Sequence, residues 1–354
     1  MAAAVSSNAE DVVSRLGYVP ESMLKCEIPA LYSKPPRVRH WPLRPRDSSL
    51  GRLDKFPPEV MLMIIKQLDL RSITNIQSVS FQGDAYVRSC TEYRDLLTHV
   101  PRALEALGSL GLNRSHRVVD IHHVLQTEAC TTCGDRGPFL FLPTCERCCK
   151  ACLEYYPSFR LIKPSQAMRY FGLSKEHCRH LLAIHLPDRL GSRCCLSHLG
   201  PKAVSAKAAR DFALAVYGSE KALAQAVKRK NIYFPGWKYW HEAHREPPRR
   251  YGLAKMPAMP FPTLPKLPSA KLEMGLWCRG CDFAKDMVPR YTVWNVTDEE
   301  IEAMLPLELL TGEYRYSATR VLMDFADRAW SRDTFLEHVR HCPGAQRLIA
   351  QSVQ

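Results

Sequence analysis

Two Cys-x2-Cys pairs, Cys130/Cys133 and Cys149/Cys152, stand fifteen residues apart and limit this chain more than any other feature. Two close pairs brought together by folding offer four thiolates at the corners of a tetrahedron, which is a zinc-binding arrangement. Gly134 directly follows the first pair, where a residue without a Cβ suits a tight turn. Cys145 and Cys148 form a further Cys-x2-Cys spacing inside the same stretch. The second half of the site is therefore Cys145/Cys148, Cys149/Cys152 or a mixed set such as Cys148/Cys152, with Cys149/Cys152 preferred. Six cysteines within 23 positions are hard to explain as small core residues. The chain has no run of about 18 apolar residues, and its start lacks a basic region followed by an apolar stretch. Neither a membrane span nor a secretory leader is expected. An intracellular location, cytoplasm or nucleus, follows, and there the 14 cysteines serve as thiols and metal ligands rather than disulfides.

A second constellation joins Cys278-x2-Cys281 to His338-x3-Cys342. His338 and Cys342 are four apart and share one side of a helix, and the ligand types suit zinc. His341 competes for this position, but its neighbour Cys342 would then point elsewhere. His177, Cys178, His180, His185, Cys194, Cys195 and His198 include ligand types but no paired spacing, and read as structural. Each proposed site uses four protein ligands and leaves no position for water, so two structural Zn2+ ions are expected rather than a catalytic one. No metalloprotease His-Glu pattern, nucleophile elbow or phosphate-binding glycine loop appears, and the chain reads as a non-enzyme.

With 354 residues and 46% hydrophobic content, the chain can bury one large core or two smaller ones. Residues 1–50 hold Pro20, Pro29, Pro35, Pro36, Pro42 and Pro45 and read as a loose arm. Residues 51–112 form a helical segment. Phe56-Pro57-Pro58-Glu59 starts a helix running to about Leu68, Ser72 caps a second, and Gly83 ends it. Residues 113–234 hold the first zinc module, with the β-prone FLFLP, and a helical extension divided at Gly218-Ser219. A proline-rich strap spans 235–270, and 271–354 carries the second cluster with a closing helix near Arg332 to His341. The fold class is mainly α with small β elements: a helical bundle, then a zinc-stabilised α+β region.

The formal net charge is +13. Short basic runs occur at Lys228 to Lys230 and at Arg249 and Arg250, with the remainder spread along the chain. This favours a solvated basic surface over a nucleic-acid site, which stays as the second reading of the partner.

The segment LDKFPPEVMLMIIKQLDLRSITNIQSVS resembles the F-box: a leucine, a proline before a helix, a Leu-x-Leu turn at Leu68 and Leu70, and a second helix ending in Val79-Ser80. FLFLPTCERCCKACL, the Cys278/Cys281 pair and EHVRHCPGAQ resemble the downstream region of fungal F-box domain proteins. The resemblance implies a receptor subunit that binds the Skp adaptor of a cullin-type ubiquitin ligase and holds a protein target through its zinc region. It places Leu53, Pro57, Ile64, Leu68, Ile73 and Val79 in or under the adaptor interface. Phe56 stands where leucine is usual in that family.

Overall fold

The computed structural model describes residues 2–21, 48–185, 202–229, 258–265, 272–287 and 318–351. Helices dominate these residues, and the strands gather in one two-stranded and two three-stranded sheets. The chain begins with α1 (Ala2–Leu16) and β1 (Gly17–Tyr18), where the sequence predicts a loose arm. The interrupting prolines begin only at Pro20, so nothing in the preceding residues opposes a helix. Leu16 is buried, and β1 pairs antiparallel with Trp277–Cys278. The later prolines of the arm lie outside the described residues.

A 3-10 turn at Gly51–Lys55 leads into six helices: α2 (Pro58–Gln67), α3 (Leu70–Val79), α4 (Phe81–Ser89), α5 (Thr91–His99), α6 (Pro101–Ser109) and α7 (Val118–Gln126). Pro58 takes the first turn of α2, where its missing N–H costs nothing. The cap of α3 is Asp69 rather than Ser72: its carboxylate accepts the Ser72 N–H at 2.8 Å. Asp69 stands one residue before the first helical position, which is where an N-cap must sit. Gly83 does not end a helix but lies within α4, where a Cβ would come 2.4 Å from the Ile76 carbonyl oxygen. The glycine therefore lets α3 and α4 meet at backbone distance. Met61, Ile65, Leu70 and Ile73 turn inward at helical spacing, as does Leu96 of α5.

The same core continues into β2 (Phe139–Phe141), β3 (Glu146–Cys148) and the short α8 (Lys150–Tyr155). A second core holds β4 (Leu161–Ile162), α9 (Pro164–Phe171), α10 (Lys175–His180), β6 (Lys202–Ser205), α11 (Ala206–Tyr217) and α12 (Glu220–Arg229), while β5 (Ile184–His185) pairs with β6 and buries Ile184 in the first core. Gly218, in the left-handed region at φ +78°, closes α11, and the Ser219 hydroxyl then accepts the Ala222 N–H in α12, as the sequence predicts. From the strap, β7 (Ala258–Pro260) adds to the edge of β2. Trp237, Trp240 and the rest of the strap's beginning lie outside the described residues. A third core contains α1, β8 (Trp277–Cys278), α13 (Arg279–Met287), α14 (Ala318–Ala326), α15 (Arg332–His341) and α16 (Pro343–Gln351). Between its cysteine pair and its closing helix, the sequence of 271–354 also predicts a β-prone YTVWNV and a short helix started by a Thr297/Glu300 capping box; both lie outside the described residues.

Arg147 joins the strap to this frame. Its guanidinium is buried and donates to the carbonyls of Val124 (3.0 Å), Gly137 (2.9 Å), Phe261 (2.6 Å), Leu125 (3.5 Å) and Pro262. Val124 and Leu125 belong to the last turn of α7, where a cation also meets the negative end of the helix dipole. The Phe261 ring lies under the charge, 5.0 Å from Cζ to centroid. Burial pushes the Arg147 pKa down to about 9, so the side chain remains charged at pH 7.

Candidate metal centres

The first cluster rests on two tight turns. Cys130 and Cys133 lie on a loop closed by the Ala129 to Arg136 bridge, with the Gly134 N–H on the Cys130 carbonyl at 3.0 Å. Gly134 has φ +81°, which explains the glycine after the pair. Cys149 caps α8: its sulfur accepts the Cys152 N–H at 3.4 Å, which sets Cys152 in the first turn beside it. The Thr131 N–H donates to the Arg147 carbonyl at 3.0 Å and binds one turn to the other.

The ligand atoms of Cys130, Cys133, Cys149 and Cys152 all lie within 4.8 Å of one another. The Cys133 and Cys149 sulfurs are 3.6 Å apart. Tetrahedral Zn–S bonds of about 2.3 Å imply a sulfur separation of roughly 3.8 Å, so the spacing suits one ion held by four thiolates. Hydrogen bonds from Cys133, Cys149 and Cys152 draw the Cys130 thiol far below its ordinary range, whereas closeness to Cys130 and Cys133 pushes Cys149 and Cys152 upward. One thiolate is welcome there and four repel, so only a cation among them lets all four ionise.

Cys145 and Cys148 are not part of this group. Cys148 is fully buried on β3, with its sulfur 3.8 Å from the Phe139 carbonyl oxygen. Successive strand residues point to opposite sides, so Cys148 faces the core when Cys149 faces the cluster. Cys145 is buried in a left-handed turn at φ +53°, and burial pushes its thiol up to about 12.

The second cluster brings together Cys278, Cys281, His338 and Cys342. Cys278 ends β8, Cys281 occupies the first turn of α13, His338 lies on α15 and Cys342 follows that helix. The Cys281 sulfur is 3.2 Å from His338 Nε2 and 3.7 Å from the Cys342 sulfur, and the Cys278 and Cys342 sulfurs are 3.9 Å apart. The Cys281 hydrogen bond draws Cys278 down, but Cys342 and burial outweigh it and raise the thiol to about 12. His341, in the last turn of α15, is exposed and outside the cluster, while His338 is buried. A close backbone crossing fixes the halves of this site: a Cβ on Gly280 would lie 2.1 Å from the Ala345 nitrogen.

Among the described residues, no third group of ligand atoms gathers. His177 Nδ1 accepts the Ser174 N–H at 3.3 Å in a helix cap, and the Cys178 sulfur lies 3.7 Å from the Pro164 carbonyl oxygen. Cys194, Cys195 and His198 lie outside the described residues.

Comparison with protein-family models, with curated proteins and with solved structures returns no match. One donor set is four sulfurs and the other is three sulfurs with one imidazole nitrogen. Such sets select soft or borderline ions, and the sites can hold two metal ions.

Residues 327–330 connect the two centres, a feature the sequence spacing does not signal. Lys150, between two ligands of the first site, pairs with Asp327 at 2.8 Å, and Asp135, two residues after Cys133, pairs with Arg328. Trp330 stacks on His338 with centroids 4.3 Å apart and planes at 13°, and Arg328 lies over the Trp330 ring at 4.5 Å.

The F-box-like segment has mixed surroundings. Ile73 is fully buried, Leu53, Ile64 and Leu68 are half-buried, and Pro57 is exposed. Phe56, Met63 and Val79 stand 44%, 65% and 72% exposed, three large apolar side chains left in solvent within one short segment. No helix among the described residues is long and apolar enough to cross a membrane.

Proposed function

We propose that this chain is a non-catalytic binding protein in which two zinc ions hold the fold and the segment 51–112 docks on a partner. Four protein ligands at each centre leave a metal no open position for water, which favours structural zinc. In the finer reading, the chain is an F-box-type receptor. The segment binds the Skp adaptor, the cullin scaffold supplies the transfer machinery, and the zinc-stabilised remainder holds a protein target near it.

The observation that carries this reading is the exposure of Phe56, Met63 and Val79 around the proline-started helix α2 and the end of α3. Polar residues at these positions would serve an isolated protein better, whereas apolar ones suit a partner that buries them. Ile73 supports the segment from below, and Leu68 packs at the edge of the same core.

The test is capture of purified Skp adaptor by the zinc-loaded chain and by a Met63→Glu/Val79→Glu variant. Both positions are exposed, so the variant keeps its fold and its metal while adaptor capture falls at least tenfold. No capture by the zinc-loaded wild type refutes the adaptor reading.

A further inference from the structure

The charge of this chain is segregated. Residues 160–257 carry 19 lysines and arginines against 6 aspartates and glutamates, an excess of 13. The remainder holds 30 of each, so the whole formal net charge of +13 lies in that span. Along the sequence the basic residues look scattered, because no long run of them occurs. Residues 160–185 and 202–229 alone carry 11 lysines and arginines against 3 acidic residues, an excess of 8.

The described part of the span, residues 160–185 and 202–229, is the satellite formed by α9 to α12 with β4 to β6. It has three acidic residues: Glu176, Asp211 and Glu220. Two of them, Asp211 and Glu220, pair with the buried Arg210. Only Glu176 is left to offset the surface, and it sits between Lys175 and Arg179 on α10. Arg169, Lys175, Arg179, Lys202 and Lys221 are exposed and make no ion pair among the described residues. On α10, which carries Lys175 and Arg179, the exposed His180 ring stacks on Phe212, with centroids 6.4 Å apart and planes at 14°, and His177 tilts against the same ring at 5.9 Å.

Holding like charges together destabilises a compact unit unless a polyanion offsets it. The apolar faces of the helices turn inward: Ala167 and Phe171 from α9, Ala209 and Ala213 from α11, and Leu223 and Val227 from α12. With these faces buried, Leu182 and Val216 are the large apolar side chains that the described part of the satellite leaves exposed, too few to anchor it in a lipid layer. We infer that this satellite surface binds the phosphate backbone of a nucleic acid, with little sequence preference. The charges displace counterions, and the ring stack gives bases a flat contact. None of these five cations is a ligand of either metal centre or one of the exposed apolar residues Phe56, Met63 and Val79.

The test is fluorescence anisotropy of labelled duplex DNA and single-stranded RNA of about 20 nucleotides, titrated with the full zinc-loaded chain over a range of salt. Engagement of all five exposed cations gives a log–log salt slope of about −4.5 on duplex and about −3.5 on a single strand. Replacing Arg169, Lys175, Arg179, Lys202 and Lys221 with Gln lowers low-salt affinity at least tenfold and removes most of the slope, at unchanged zinc content and circular dichroism. If that variant misfolds, Lys175→Gln/Arg179→Gln still reduces the slope by about 1.5 to 2. Absence of saturable wild-type binding at low salt overturns the inference, as does a folded variant of either kind with unchanged affinity and slope. Binding to phosphatidylserine vesicles that nucleic acid does not displace overturns it in favour of a membrane.

Discussion

Arg147→Met removes a charge that five backbone carbonyls share. Of those acceptors, Val124 also receives the Thr127 N–H and hydroxyl, and Leu125 receives the Leu264 N–H. Gly137, Phe261 and Pro262 have no comparable second donor among the described hydrogen bonds, so the variant strands three carbonyls beside a buried, apolar side chain. Each costs about 1–3 kcal/mol, and loss of the Phe261 contact adds about 1 kcal/mol. Release from burying the charge returns part of this, which leaves a net loss of roughly 3–6 kcal/mol. A domain stable by about 5–15 kcal/mol would lose a large fraction of its margin. Urea unfolding of the zinc-loaded chain, followed by circular dichroism, reads the change as a lower midpoint. Arg147→Lys, with a single ammonium unable to span acceptors on α7, on the turn at Gly137 and on the strap, falls between the two. A loss below about 1 kcal/mol for the Met variant at full zinc content would refute the reasoning.

Gly280→Ala places a Cβ against the Ala345 backbone, which no rotamer relieves, and is expected to cost at least about 3 kcal/mol and to empty only the second centre. Metal analysis finding two ions per chain would contradict that. Arg328→Ala removes the pair with Asp135 and the cation over Trp330, a loss of about 1–2 kcal/mol, and is expected to speed metal release from the His338 centre about tenfold under chelator competition. An unchanged rate would show that the 327–330 segment does not hold His338 in place. Chelation of both ions is expected to unfold the turns at Cys130–Cys152 and the helices around Cys278 and Cys342 locally, with loss of far-ultraviolet ellipticity; an unchanged spectrum would sink the structural role.

Much of the site was legible because metal ligation imposes short, paired spacings. Cys130/Cys133 and Cys149/Cys152 announce themselves through Cys-x2-Cys, and His338 and Cys342 through a helical interval. Choosing among Cys145, Cys148 and Cys149 required the structure, because strand alternation sends Cys148 inward and Cys149 to the cluster. The helices of 51–112 are legible from their apolar period and Pro58. Gly83 instead reads as a stop, because its role depends on how near α3 and α4 approach. Arg147, the 327–330 link and the packing of α1 on the second centre are contacts between distant segments. Nothing local in the sequence marks them.

We propose one structural zinc ion in each cluster. The most direct measurement is metal content by mass spectrometry under native conditions on the wild type, Cys149→Ser and Cys281→Ser. Two zinc ions per wild-type chain and one in each variant are expected, with Cys145→Ser and Cys148→Ser retaining two. A wild type holding one ion or none, or a Cys149→Ser chain that keeps two, would contradict it.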